Sequence, residues 1–224
     1  MTAHSKEKGK KSRILLVDDH PATRLGLSLL IGGEPDLAVC GEAESAGGGL
    51  DAALAVLPDL VLSDISLPGK SGLEMIKDIH AALPSLPVLV LSMHDEKSYA
   101  ERALQAGSRG YIMKNASGEI ILQAIRSVLA GNVYVSGVIS AGILERISRH
   151  DPAEKTGIDA LSHREFEIFQ LIGSGLSTQD IAKRLNLSSK TVDSHKARIK
   201  NKVHKSNPSE LVAYAANWVA LQTC

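Results

Sequence analysis

At 224 residues, with 44% hydrophobic and 22% charged residues, the chain has room for one large or two ordinary domains of globular composition. Its formal net charge is zero, but from Thr156 onward nine Lys or Arg face six acids, leaving 16 bases and 19 acids before that point. The C-terminal part is therefore basic and the N-terminal part acidic.

Two cysteines are too few for a disulfide framework, and no apolar run approaches the roughly 18 residues of a membrane span. The first dozen residues carry Lys6, Lys8, Lys10 and Lys11 with no apolar core of signal-peptide length after them. A cytoplasmic protein with no membrane contact is expected, residues 1–12 forming a solvated, disordered tail.

Arg13 to Val17 reads as a strand that runs into Asp18 and Asp19, followed by His20-Pro21 and a helical pattern through Leu25, Leu29 and Leu30. One of the two aspartates could simply cap that helix. Leu37 to Ala43 reads as a strand and Leu50 to Leu57 as a helix, with Gly47, Gly48 and Gly49 as its flexible lead-in. That triplet lacks the spacing of a phosphate loop.

Leu60 to Ser63 is a short apolar run without alternation, as expected of a strand covered on both faces, and it ends on Asp64 and the turn-like Ile65 to Gly69. A helix over Gly72 to Leu83 stops before Pro84. Val88 to Ser92 is another buried strand, ending in a hydroxyl. The helix Glu96 to Ala106 stops at Gly107, the strand Gly110 to Lys114 ends in a cation, and a helix spans Ser117 to Ala130.

Five strand–helix units over residues 13–131 predict a doubly wound α/β domain. With a flavodoxin-like strand order 2-1-3-4-5, strands one and three are neighbours about 4.8 Å apart, and Asp18, Asp19 and Asp64 crowd at their carboxyl ends. Three such carboxylates need a cation, and oxygen ligands with room for water suit Mg²⁺. Ser92 follows on the next strand. Lys114, about 10 Å across the sheet, can reach the cluster with its stem. Metal, carboxylate, hydroxyl and ammonium together match phosphoryl transfer to Asp64 as in-line nucleophile.

Residues 132–158 read as a linker, with possible helix over Ile139 to Ile147. Residues 159–224 show no strand pattern and read as four short helices. Ser162 and Glu165 form a capping signature for the first. Ser177 or Thr178 caps the second, with Ile181, Ala182 and Leu185 inward. Ser188 or Ser189 caps the third, whose buried stripe is Val192, Ile199 and Val203.

The opposite face of that third helix mixes cations with small residues, which fits a recognition helix in the major groove of duplex DNA better than a merely solvated face. Lys190, Lys196, Arg198, Lys200 and Lys202 are candidate phosphate contacts, and Asp193, Ser194 and Ala197 candidate base contacts. Aromatic content of 3% argues against stacking on single strands. The last helix, Pro208 to Leu221, packs Leu211, Ala215 and Trp218 on its own domain or on a second copy.

Val17-Asp18-Asp19, Ser63 to Gly69, Leu91-Ser92-Met93 and Gly110 to Lys114 resemble the receiver domain of two-component response regulators. Gly175 to Thr178, Ile181-Ala182 and Lys190-Thr191-Val192 with His195 resemble the LuxR-type helix-turn-helix, so the chain as a whole resembles the NarL/FixJ family. The resemblance implies that Asp64 is the phospho-acceptor and that Asp19, Asp64 and the Ser66 backbone carbonyl ligate Mg²⁺, with Asp18 holding a metal-bound water. It also implies that Lys114 contacts the acyl phosphate, that Ser92 and Tyr111 switch with it, and that a sensor histidine kinase and a homodimer are the partners.

Read without the resemblance, Ser92 is a strand terminus and Tyr111 a half-buried aromatic. Two rival readings are an aspartate-nucleophile phosphatase, which would need an acid where Ser66 stands, and an unphosphorylated receiver that only holds domains together.

Overall fold

The computed structural model describes residues 11–137, 139–142 and 157–222 and separates into two compact units, Met1–Ser140 and Ala141–Cys224. The expected tail lies outside the described residues up to position 10, as do residues 143–147 of the possible linker helix. Of that helix, residues 139–142 are helical.

In the first unit, β1 (Ser12–Val17), β2 (Leu37–Ala43), β3 (Leu60–Ser63), β4 (Val88–Ser92) and β5 (Gly110–Met113) form one parallel sheet in the order 2-1-3-4-5. Helices α1 (Pro21–Gly32), α2 (Ala46–Val56), α3 (Gly72–Ala82), α4 (Glu96–Ala106) and α5 (Gly118–Leu129) alternate with the strands. Every residue of β3 and β4 is buried, which explains their unbroken apolar runs.

Three details depart from the sequence reading. β1 begins one residue earlier, because Ser12 pairs with Leu37. α2 begins at Ala46, so the three glycines lie inside its first turn instead of leading into it; Ser45 caps the helix by accepting from Gly48 N. Gly49 is there for packing, since a Cβ at that position would stand 2.6 Å from Met75 Sδ. In α1, Leu27 and Ile31 meet the sheet, while Leu25 and Leu29 are 62% and 70% exposed.

α3 enters directly beneath the acidic end of β3. Ser71 caps it in a reciprocal box with Glu74, and a Cβ on Gly72 would lie 2.1 Å from the Asp64 carbonyl oxygen. Backbone cannot yield as a side-chain tip can. Gly72→Ala should therefore cost about 3 kcal/mol, the upper end of overpacking penalties, read as a fall in the urea midpoint. Gly47→Ala, with nothing within 4 Å of the new methyl, should raise the midpoint slightly.

In the second unit a 3₁₀ turn (Gly157–Ala160) precedes α6 (His163–Gly173), α7 (Thr178–Arg184), α8 (Ser189–Lys202) and α9 (Pro208–Gln222). Ser162, Ser177 and Ser188 cap the first three through their hydroxyls. Val192, Ile199 and Val203 are buried as the pattern requires. α9 packs on its own unit: Leu211 and Ala215 are buried, and Trp218 meets Phe166 and Phe169 edge-on at 5.3 and 5.8 Å.

Candidate functional site

The strand order sets β1 beside β3 with Val17 opposite Ser63, so Asp18 and Asp64 emerge side by side. Asp64 N–H donates to the Val17 carbonyl at 2.8 Å, and Lys114 N–H to the Ser92 carbonyl at 2.8 Å. The Lys114 ammonium crosses the cleft and bridges Asp18 Oδ2 at 2.6 Å and Asp64 Oδ2 at 2.7 Å. Asp64 Oδ1 is held from the other side by the backbone N–H groups of Ile65 (2.6 Å) and Ser66 (3.3 Å). Asp64 Oδ2 is thus the oxygen turned into the cleft.

Neither aspartate after β1 caps α1. Its N-cap is His20, followed by Pro21, and Asp18 Oδ1 instead accepts from His20 N at 2.9 Å. Asp19 is half-buried. His20 Nδ1 stands 2.7 Å from its Oδ1, yet that oxygen is buried without a hydrogen-bond partner among the described residues, so the pair is close but poorly aligned. Ligand atoms of Asp18, Asp19, His20 and Asp64 all lie within 4.8 Å of one another.

The electrostatics follow from three carboxylates around one ammonium. Burial pushes the Asp64 carboxyl above the usual carboxylate range, and the Asp18 charge adds to that. Lys114 opposes without cancelling it. For Lys114 burial acts downward, but the attraction and hydrogen bonds of Asp64 and Asp18 win, leaving the ammonium harder to deprotonate than a free lysine. The pocket remains short of positive charge.

Ser92 is fully buried, and its Oγ accepts from His94 N at 3.2 Å. Tyr111 is buried as well, and its hydroxyl donates to the His94 carbonyl at 2.7 Å. Burial raises the phenol above its ordinary value. His94 Nε2 shares a hydrogen bond with Ser66 Oγ at 2.7 Å, and its ring stacks on Tyr99 at 4.4 Å. Ser66, Ser92 and Tyr111 therefore meet through His94, which the sequence reading did not single out. Its one sequence signal is a polar ring two residues beyond a strand that ends in a hydroxyl.

In the second unit Lys190, Asp193, Ser194, Ala197 and Arg198 are exposed on α8, whereas Lys196, Lys200 and Lys202 are half-buried. Lys196 donates to Thr178 Oγ1 (3.0 Å), and Lys200 reaches the Ser206 carbonyl (3.4 Å). Lys202 pairs with the buried Glu165 at 2.6 Å. Burial pushes the Glu165 carboxyl up, but Lys202 and the Ser162 backbone outweigh it and hold it below the usual range. Beneath α7, the buried Arg164 pairs with Glu167 at 2.6 Å and donates to the Leu185 carbonyl at 3.2 Å.

Comparison with known proteins matches residues 14–126 to the response regulator receiver domain and residues 159–215 to the bacterial regulatory proteins of the luxR family. The chain belongs to the LuxR-family response regulators. A similar relative is the oxygen regulatory protein NreC of Staphylococcus haemolyticus (strain JCSC1435), 34% identical over 208 residues, covering 91% of this chain and 96% of that protein. A LuxR-family response regulator from Aurantimonas sp. SI85-9A1 is 35% identical with a TM-score of 0.57, covering 62% of this chain and 99% of that one. RcsB from Salmonella enterica serovar Typhimurium, solved bound to promoter rprA in the presence of the phosphomimetic BeF3⁻, is 25% identical with a TM-score of 0.60 and covers 92% and 99%.

In this response regulator the receiver-type sheet and the helix-turn-helix are both as the sequence predicts, and no helix among the described residues is long and apolar enough to cross a membrane.

Proposed function

We propose that this response regulator takes a phosphoryl group on Asp64 from a sensor histidine kinase in the cytoplasm, and that the modification controls sequence-specific binding of its C-terminal unit to duplex DNA. The observation that carries this reading is the Lys114 ammonium lying between the carboxylates that end β1 and β3. Asp64 Oδ2 attacks phosphorus as the bond to the donor breaks, and the donor leaves with the electron pair. Lys114 turns from the two carboxylates toward the new phosphoryl oxygens. An apolar cleft of about 400 Å³, lined by Leu27, Leu30, Leu91, Met93 and Ile121, borders Lys114 and gives a protein donor a surface to approach.

The donor set fits Mg²⁺. Hard oxygens outnumber the single ammonium, and Asp19 Oδ1 is buried without a hydrogen bond. Asp19, Asp64 and the Ser66 carbonyl would hold the ion, with Asp18 holding a bound water; its charge offsets that of the phosphoryl oxygens. Ser92 and Tyr111 are the groups whose placement changes when the phosphoryl group arrives. Residues 132–158 serve as the linker between domains spanning 13–131 and 159–224.

Incubation with acetyl phosphate and Mg²⁺ tests the reading: a stable gain of one phosphoryl group on Asp64 supports it. Turnover of many equivalents would indicate the phosphatase, and no modification an inert receiver.

For DNA we propose that α8 enters the major groove, with Asp193, Ser194 and Ala197 at the bases and Lys190, Lys196, Arg198 and Lys200 near phosphates, the active form being a homodimer. Lys202 differs from these in already holding a buried acid. Lys190→Ala should weaken binding to all duplexes alike and lower the slope of log affinity against log salt by about one. Lys202→Ala should leave that slope unchanged and lower thermal stability instead. Equal slopes for wild type and Lys190→Ala would remove Lys190 from the phosphate contacts.

A further inference from the structure

β5 is the outer strand of its sheet, and its free edge is covered by the chain that follows α5. Tyr134 N–H donates to the Arg109 carbonyl at 3.0 Å, and Tyr111 N–H donates to the Tyr134 carbonyl at 2.8 Å, with Gly110 opposite Tyr134 in a parallel bridge. The approach depends on Gly110, where a Cβ would stand 2.6 Å from the Tyr134 carbonyl oxygen. Two residues on, Ser136 N–H donates to Glu96 Oε1 at 2.7 Å. Glu96 is the first residue of α4. Ser136 then begins a helical turn, its carbonyl accepting from Ser140 N at 3.0 Å.

The outgoing chain is therefore held at two places, and both are tied to the turn that carries His94. Tyr111 grips Tyr134 through its backbone while its hydroxyl reaches the His94 carbonyl. Glu96 lies two residues past His94, whose N–H rests on Ser92 Oγ. The turn over residues 92–96 thus carries the buried hydroxyl at one end and the carboxylate that holds Ser136 at the other. Exposed bonds of this kind are individually weak, which places the clip among the parts of a fold that open first.

We propose that residues 132–137 are a releasable clip. Resting on the reading of Asp64 as phospho-acceptor, Ser92 turns to the phosphoryl group and draws the 93–96 turn with it. Glu96 then lets go of Ser136, and the chain leading to the DNA-binding unit is freed from the edge of β5. The clip couples the phosphorylation site to the linker through the Ser92–His94 and Glu96–Ser136 hydrogen bonds.

Hydrogen exchange on the full chain tests this. Acetyl phosphate with Mg²⁺ should speed exchange in the peptide over residues 132–140. Glu96→Ala should speed it without phosphorylation and raise the DNA affinity of the unmodified protein by about five-fold or more, with phosphoryl uptake at Asp64 unchanged. Ser136→Pro, which deletes the donor, should reproduce that effect, and Glu96→Gln, which keeps an acceptor oxygen, should behave as wild type. Equal exchange with and without a phosphoryl group on Asp64 overturns the proposal. So does a wild-type DNA response in both Glu96→Ala and Ser136→Pro. Failure of the wild type to take up a phosphoryl group would sink the acceptor reading itself, and the clip with it.

Discussion

Asp64→Asn is expected to abolish phosphoryl uptake completely and to fix DNA affinity at the level of the unmodified wild type. The amide keeps an oxygen for the Ile65 and Ser66 N–H groups, so the turn after β3 should persist, but it offers no oxyanion to attack phosphorus. Stability should move the other way. Burial and the Asp18 charge raise the Asp64 carboxyl in the folded state, so its ionisation opposes folding. That penalty is complete above the raised folded value and absent below the unfolded value of about 3.9. The variant should therefore unfold at a higher temperature than wild type at pH 7, with the gain fading as pH falls toward about 4. Intact mass after acetyl phosphate, DNA titrations with and without the donor, and melting curves across that range check the three parts. A donor-dependent rise in DNA affinity in Asp64→Asn would place the acceptor elsewhere.

The legible parts of this chain are those where one physical requirement acts alone. β3 and β4 are covered on both faces, so their sequences are unbroken apolar runs with sharp ends, and Asp64 and Ser92 stand out as the first polar groups after them. The helix start at Ser162 is legible because a hydroxyl and a glutamate three residues later satisfy the same orphan N–H groups in any fold, and Ser71 with Glu74 carries the same signature. Where two requirements compete, the pattern misleads. Glycines 47–49 look like a flexible lead-in because glycine disfavours helix, yet α2 begins at Ala46, with Gly49 close-packed on Met75 and Val17. Tyr134 looks like linker because a single bridge on a sheet edge needs no periodicity. Lys202 looks like a DNA contact because nothing local marks Glu165, 37 residues earlier, as the acid it neutralises. His94 escapes for the same reason: its partners Ser66 and Tyr111 converge on it only once β3, β4 and β5 are side by side.

Lys114→Ala tests the charge balance of the site most severely. The ammonium touches two carboxylates whose side chains are 3% and 4% exposed, and its loss removes the cation that pairs with both Asp18 and Asp64. Breaking a buried pair from one side costs about 3–5 kcal/mol, which is a large share of the stability of an ordinary domain. With the lysine gone nothing offsets the burial that raises the Asp64 carboxyl in the folded state, so the variant should become more stable as pH falls from 7 toward 4. The wild type gains a lysine contribution that is complete below about 10.4 and lost only as pH rises through its raised value. Added Mg²⁺ should restore part of the melting temperature by binding the folded form alone. Phosphoryl uptake should still fall by about 10² or more, because a divalent ion at the acids does not replace a donor aimed at the phosphoryl oxygens. The decisive comparison is melting temperature against Mg²⁺ concentration for both proteins. A variant as stable as wild type without Mg²⁺ would mean that the carboxylates need no cation, and that the case for a divalent site built on their excess charge is wrong.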